Sequence, residues 1–398
     1  MLKFLFITCF LFLSLGQLSS LSKSEGVNIY LFDIFIFIFV VLGVIYFLVN
    51  KRIFIPKTMI VFFLFGYIGL TTLVFNFYRL GTLELFVSLS YLIRFVMYLL
   101  FATLIFLSLK NNVIRTDIVI KTILLSGILI CILGFVQLIV LPDFEVLDPS
   151  LGWDPHKYRL VSTFFDPNFV GAYINLCLIL LMYYKFDLKG NISKKMFLVI
   201  FILYLVSLLL TFSRSSWLMF SVIIFIYGVV KSPKLIILAG LLVFLAYFAV
   251  PRIQTRIAGS TDPADSAYFR FISWRNAIEI FKDNPIAGVG FNSYRYAQLE
   301  YGFITQDTLG GHSGAGSDSS LLLVLSTTGI IGFAVFSVGL LLPFYLFVRS
   351  KEFTFYTVTF LGLMVHALFV NSLFFSQITV LWMLFLVLAE YINFSSRT

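Results

Sequence analysis

The chain has 398 residues, of which 60% are hydrophobic, 18% aromatic and only 12% charged, and its mean hydropathy is +1.03. Soluble domains carry about a quarter charged residues, so a water-soluble globular enzyme is excluded. The formal charge of +9 comes from lysines and arginines scattered between apolar runs, which argues against a nucleic-acid-binding face and makes these residues topology determinants. The three cysteines, Cys9, Cys131 and Cys177, sit inside apolar runs with no Cys/His cluster, so neither a disulfide framework nor a structural zinc is expected.

Only a helix satisfies its own backbone in lipid, and a span takes about 20 mostly apolar residues. Runs of about that size fall near 4–21, 28–49, 58–76, 84–108, 118–141, 168–184, 196–213, 215–230, 234–250, 319–347, 353–373 and 377–393. The first resembles a signal peptide in having Lys3 ahead of it, but no A-x-A-like site follows, so it reads as an uncleaved span. The chain therefore reads as an all-α polytopic membrane protein of about twelve transmembrane helices, with one large extracytoplasmic loop that contains an amphipathic helix. Three regions follow: N-terminal spans over 1–167, with an outward loop near 142–167; a core over 168–346, including the large outward loop 251–318; and C-terminal spans over 347–398. With a cytoplasmic N-terminus, the inward loops carry Lys51, Arg52, Lys57, Lys110, Arg115, Lys185, Lys189, Lys194, Lys195, Lys231, Lys234, Arg349 and Lys351. The short outward loops carry only Lys23, Arg79 and Arg214. That bias assigns both termini to the cytoplasm.

Chemistry is sought in the two long outward segments. In 266–283 the residues Ala267, Phe271, Trp274, Ile278 and Phe281 recur at helical spacing, with Arg270 on the edge of their stripe and Arg275 on the wetter side. A cation there needs an anion, either Asp265 or Asp262 from its own loop or an anionic ligand. Gly288 and Gly290 would let a tight turn bring backbone close to another group. Arg214 lies between two apolar runs at the bilayer surface, where an arginine is a functional hypothesis by default. Arg94, Glu390 and His366, inside apolar runs, read as structural, Arg94 being paired with Glu84 or Asp33. Asp166 and Asn168 read as a turn and N-cap, which leaves Arg159 unexplained. His312 and Asp318 precede the 319–347 run, and Asp318 is either a helix cap or a base. Guanidinium groups bind phosphate bidentately and stay charged. Arg159, Arg214 and Arg270 on one side of a membrane therefore suit a lipid-linked diphosphate. With no Asp-x-Asp cluster on the outward loops, arginines are expected to do the work of a divalent cation; no metal and no cofactor are expected.

The order Arg270-x3-Trp274-x2-Ala277-x3-Phe281-x3-Pro285-x2-Gly288-x-Gly290, then a helix beginning DSSLLLVLSTTGIIG, resembles the O-antigen ligase/polymerase family. Ser213-Arg214 after an apolar span and Asp166-Pro167-Asn168 belong to the same resemblance, which covers roughly residues 160–335. It implies transfer or polymerisation of glycans carried on undecaprenyl diphosphate at the outer face of a bacterial inner membrane. Arg214 and Arg270 match the family's functional arginines, and Arg159 is a further match. Ligases of the family carry a His-Asn pair where Asp318-Ser319 stands here. This departure favours a polymerase of O-antigen, capsule or exopolysaccharide repeats over a ligase that joins the glycan to a lipid core.

The expected reaction is an inverting, metal-independent glycosyl transfer. Asp318 or His312 acts as base, Arg214, Arg270 and Arg159 bind the diphosphate, and Trp274, Arg275, Tyr294 and Tyr296 line the sugar site. Partners would be the lipid-linked glycan, membrane lipid, and chain-length regulator and flippase proteins, with no nucleic acid. A flippase or exporter is the rival from another class, but midplane charges are few and no internal repeat is seen.

Overall fold

The computed structural model describes residues 1–24, 27–147, 154, 156–231, 233–258, 266–306, 309 and 316–396. His312, Asp262 and Asp265 lie outside the described residues. The molecule is an all-α bundle with one small hairpin. Its helices are α1 (Leu2–Ser14), α2 (Leu31–Val49), α3 (Lys57–Phe75), α4 (Thr82–Lys110), α5 (Thr116–Val140), α6 (Pro167–Met182), α7 (Lys194–Leu210) and α8 (Arg214–Val230). Then follow α9 (Pro233–Ala249), α10 (Pro251–Ala258), α11 (Ser266–Asp283), α12 (Tyr294–Glu300), α13 (Ser320–Phe347), α14 (Glu352–Ala367) and α15 (Ser376–Ser395). Among the described residues, seven helices are long and apolar enough to cross a bilayer: α2, α3, α4, α5, α13, α15 and α6 with its π-helical extension to Asp187. The other expected apolar runs are also helical but shorter. The first is helical for only 13 residues, about 20 Å against a bilayer core of about 30 Å. Its chain then turns into the antiparallel strands β1 (Ser20–Ser24) and β2 (Val27–Tyr30).

Helix starts follow local chemistry. Asp166 caps α6, accepting from Asn168 N at 2.6 Å, with Pro167 at the first helical position. Glu84 accepts from Gly81 N at 2.9 Å to start α4, so Arg94 pairs instead with Asp33, at 3.3 Å. Helices α6 and α15 form the centre, buried almost along their whole length, and α4, α5, α8 and α14 pack around them. All three cysteines are buried free thiols.

Polar contacts separate the two ends of the bundle. At one end Lys231 meets Asp187 at 2.6 Å, and Glu390 receives Lys57 N and Thr58 N at 2.8 and 2.9 Å. Glu390 thus caps α3 from another helix, a structural role. At the other end residues 156–160, the α7–α8 turn and α10 come together, and Arg270 of α11 acts on Arg159.

That second end is braced by a break in α13. Gly329 has φ 63° and ψ −168°, a conformation open essentially only to glycine. There the turn at 285–290 pairs with the exposed backbone: Val289 N donates to Ser326 O at 3.0 Å, Gly290 N to Thr327 O at 2.9 Å, and Ile330 N to Pro285 O at 2.8 Å. Gly288 fits because its φ is +64° and a Cβ would stand 2.4 Å from the Thr327 carbonyl carbon. The close approach that Gly288 and Gly290 allow is therefore to α13, and it ties the segment after α11 to the helix that Asp318 precedes. Gly329→Ala, whose Cβ would lie 2.2 Å from Ile286 O, should cost about 2–3 kcal/mol or more. This should appear as a lower thermal midpoint in detergent. An unchanged midpoint would show that the brace is not needed for stability.

Candidate functional site

The sequence stripe on α11 is turned from the face that packs. Ala277 and Ile280 are buried and Arg270, Ser273, Trp274 and Phe281 are half-buried, whereas Phe271 and Ile278 are 58% and 40% exposed. Residues 270, 273, 274, 277, 280 and 281 therefore form the inward face. Tertiary packing against α13 chose this smaller face over the bulkier one. It carries Arg270 inward and leaves Arg275 exposed on the far side.

Asp318 is pinned by this face. Its N–H donates to Ser273 Oγ at 2.9 Å, and Trp274 Nε1 donates to its carbonyl at 3.5 Å. Ser319, not Asp318, caps α13 by accepting from Leu322 N at 3.4 Å. With capping assigned to Ser319, the carboxyl is released from that task. Burial pushes it up to about 6, Arg270 opposes the rise, and the charges of Asp154 and Asp166 add to it. One expected sugar contact is corrected. Tyr294 is fully buried, with its hydroxyl 3.4 Å from Ser273 O, so it supports α11 and is not an open platform. Trp274 packs edge-on to Phe271 and tilted against Phe369 and stays half-buried. Tyr296 remains half-buried.

Arg159 changes role as well. It is 9% exposed, Nε donates to Thr211 O at 2.9 Å, Nη2 donates to Phe212 O at 3.3 Å, and Nη1 lies 3.4 Å from His156 Nδ1. Its guanidinium is thus spent on the turn that precedes Arg214. Burial lowers it to about 9, with Arg256 adding to the fall, Asp166 opposing it, and Arg252 and Arg270 adding again. It stays protonated at neutral pH, in the field of the Arg252, Arg256 and Arg270 charges.

Sequence alone does not single out Arg252 and Arg256, although they recur at i, i+4 in α10, an eight-residue helix that also carries Ile253 and Ile257. Arg252 donates to Tyr158 O at 2.7 Å and to Lys157 O, and stacks over Phe212 with its Cζ 4.4 Å from the ring centroid. Arg214 Nη1 donates to Arg256 O at 3.1 Å. Helix α10 is therefore held at its start by the 142–160 loop and near its end by Arg214.

Arg214 is the first residue of α8, after the cap Ser213, whose Oγ donates to Asn168 Oδ1 at 2.7 Å. Asp166-Pro167-Asn168 and Ser213-Arg214 are thus joined directly. On the same side, ligand atoms of Asp154, His156 and Asp166 lie within 4.8 Å of one another, a grouping hidden by their spacing along the chain. One oxygen of Asp166 is used for its cap, and His156 Nδ1 faces the Arg159 guanidinium. Burial lowers His156 to about 4, with Arg159 and Arg256 adding to the fall against Asp166. A cation among these donors would meet guanidinium charges. The group reads better as an acidic counterweight inside an arginine cluster.

Arginines drawn from four separate segments, outnumbering the acids among them and with a raised carboxyl nearby, suit an anionic substrate whose reaction releases a proton. No curated protein matches the chain. Residues 199–337, which contain Arg214, Arg252, Arg256, Arg270 and Asp318, match the family model described as O-Antigen ligase, so this part of the chain is similar to the O-antigen ligase family.

Proposed function

We propose that the protein polymerises lipid-diphosphate-linked oligosaccharide repeats of a surface polysaccharide. The work is done at the outward face of the bacterial cytoplasmic membrane, with both termini inside. What supports the reading is a chain of contacts at one end of the bundle: Arg214 holds the Arg256 carbonyl, Arg256 and Arg270 both act on Arg159, and Arg270 acts on Asp318. The diphosphate docks on Arg214 and Arg270, with Arg256 adding charge. The acceptor sugar's hydroxyl oxygen forms a bond to the anomeric carbon as the bond from that carbon to the phosphate oxygen breaks. The bonding pair leaves with the diphosphate, whose charge the guanidinium groups balance, and the hydroxyl proton passes to Asp318. Attack opposite the leaving group inverts the anomeric centre. No step in this scheme needs a metal.

A ligase reading differs in the acceptor, a lipid core in place of a growing chain. The polymerase is favoured because an aspartate stands where ligases of the family carry histidine, and its carboxyl is raised toward a useful range. A deletion strain separates them: one repeat per lipid is the expected result, whereas long unattached chains would identify a ligase. A flippase of lipid-linked glycan is disfavoured because the charged residues gather at one end of the bundle and not along its middle. Lengthening of lipid-linked repeats by the purified protein in detergent, where transport is impossible, would dispose of that rival.

A further inference from the structure

His366 lies near the end of α14 and is fully buried, where an imidazole needs polar partners on both nitrogens. It has them. Nδ1 contacts Ser372 Oγ, and Nε2 lies 3.3 Å from both Ser215 Oγ and Ser216 Oγ. Those serines follow Arg214 in the first turn of α8. The same turn is held from α6 by Asn168 and Asn175: Ser216 Oγ donates to Asn168 O at 3.2 Å, and Asn175 Nδ2 donates to Ser216 O at 2.9 Å. It is therefore clamped between α6 and α14, and His366 supplies the α14 side. Side chains leave a helix at about 100° per residue, so any rotation of this turn swings the Arg214 guanidinium away from its place near α10.

We propose that His366 is a positioning residue for Arg214: bridging Ser372 to Ser215 and Ser216, it sets the direction from which that guanidinium meets the substrate's diphosphate. This rests on the site reading above. The role does not depend on which nitrogen carries the proton, since a serine hydroxyl can donate or accept. A guanidinium displaced by a fraction of an ångström still attracts the anion but loses the two-pronged geometry that counts in the transition state.

The test compares His366→Gln, whose amide reaches the Nε2 end and can donate or accept, with His366→Asn, whose amide stops at the Nδ1 end. The full-length protein is assayed in detergent for lengthening of lipid-linked repeats isolated from the deletion strain. The Asn variant should lose about tenfold in kcat with KM little changed, as for one oriented hydrogen bond, and the Gln variant should stay within about threefold of wild type. In an Arg214→Lys background, which already lacks the guanidinium fork, the Asn substitution should cost much less. Equal activity of the Asn and Gln variants, both normal or both lost, overturns the proposal, as does a full tenfold loss in the Lys background. If Arg214→Ala itself keeps full activity, the reading of the whole site fails instead.

Discussion

Arg270→Ala should lose chain extension by about 10²–10³-fold, the usual cost of removing one group that stabilises developing charge. It should nevertheless leave the protein folded in the membrane. The separation is expected because Arg270 is half-buried at the edge of the α11 packing face, while Ala277 and Ile280 hold that face to the bundle. Arg214→Ala should lose at least as much, since it also releases the Arg256 carbonyl and with it the end of α10. Arg214→Lys keeps a point charge without the fork and should fall between. Losses at the two arginines should not add in full if both contact one diphosphate. Polymer length in a complemented deletion strain, read beside membrane protein level, checks all three variants. Full-length polymer from Arg270→Ala would remove that residue from the site.

Much of this architecture is legible in the amino-acid sequence, because lipid leaves the backbone so few choices. Runs of apolar residues become helices at nearly the expected bounds, as in α3, α5 and α15. Cap chemistry is equally local, and Asp166-Pro167-Asn168 starts α6 as read. Contacts between segments distant in the chain are less legible. Nothing in the run around His366 announces Ser215 and Ser216, which stand about 150 positions earlier. The inward face of α11 departs from the sequence stripe because hydrophobicity ranks Phe271 and Ile278 above Ala277, whereas close packing on α13 favours the small residue. Arg159 looked like a ligand because an arginine unexplained by sequence invites that reading. Its partners are carbonyls of Thr211 and Phe212, groups every residue has and no sequence pattern marks. Arg252 and Arg256 were passed over for the opposite reason, being two more cations in a basic chain until the fold sets them beside Arg214 and the 142–160 loop.

Asp318→Asn should abolish extension without loosening the fold, and the pH dependence of the wild type should name the same group. The carboxyl is active as base only when ionised, so the rate should rise with pH through about 6 and level off above it. The charges it feels are Arg270, which favours ionisation, and Asp154 and Asp166, which oppose it. Arg270→Ala should therefore move any residual acid limb to higher pH. The stability effect runs the other way. The folded-state value stands above the ordinary 3.8, so the folded protein keeps this proton while the unfolded chain loses it between about pH 4 and 6. Folding is favoured below that window and weakens across it, and the loss is complete above. The asparagine variant carries no such charge, so at pH 7 its thermal midpoint should equal or exceed that of the wild type. A dead enzyme that melts no lower than the parent assigns chemistry to Asp318, because a merely structural aspartate would lose both properties together. If the variant still extends chains, the base is another group, and the acid limb should survive in it unchanged.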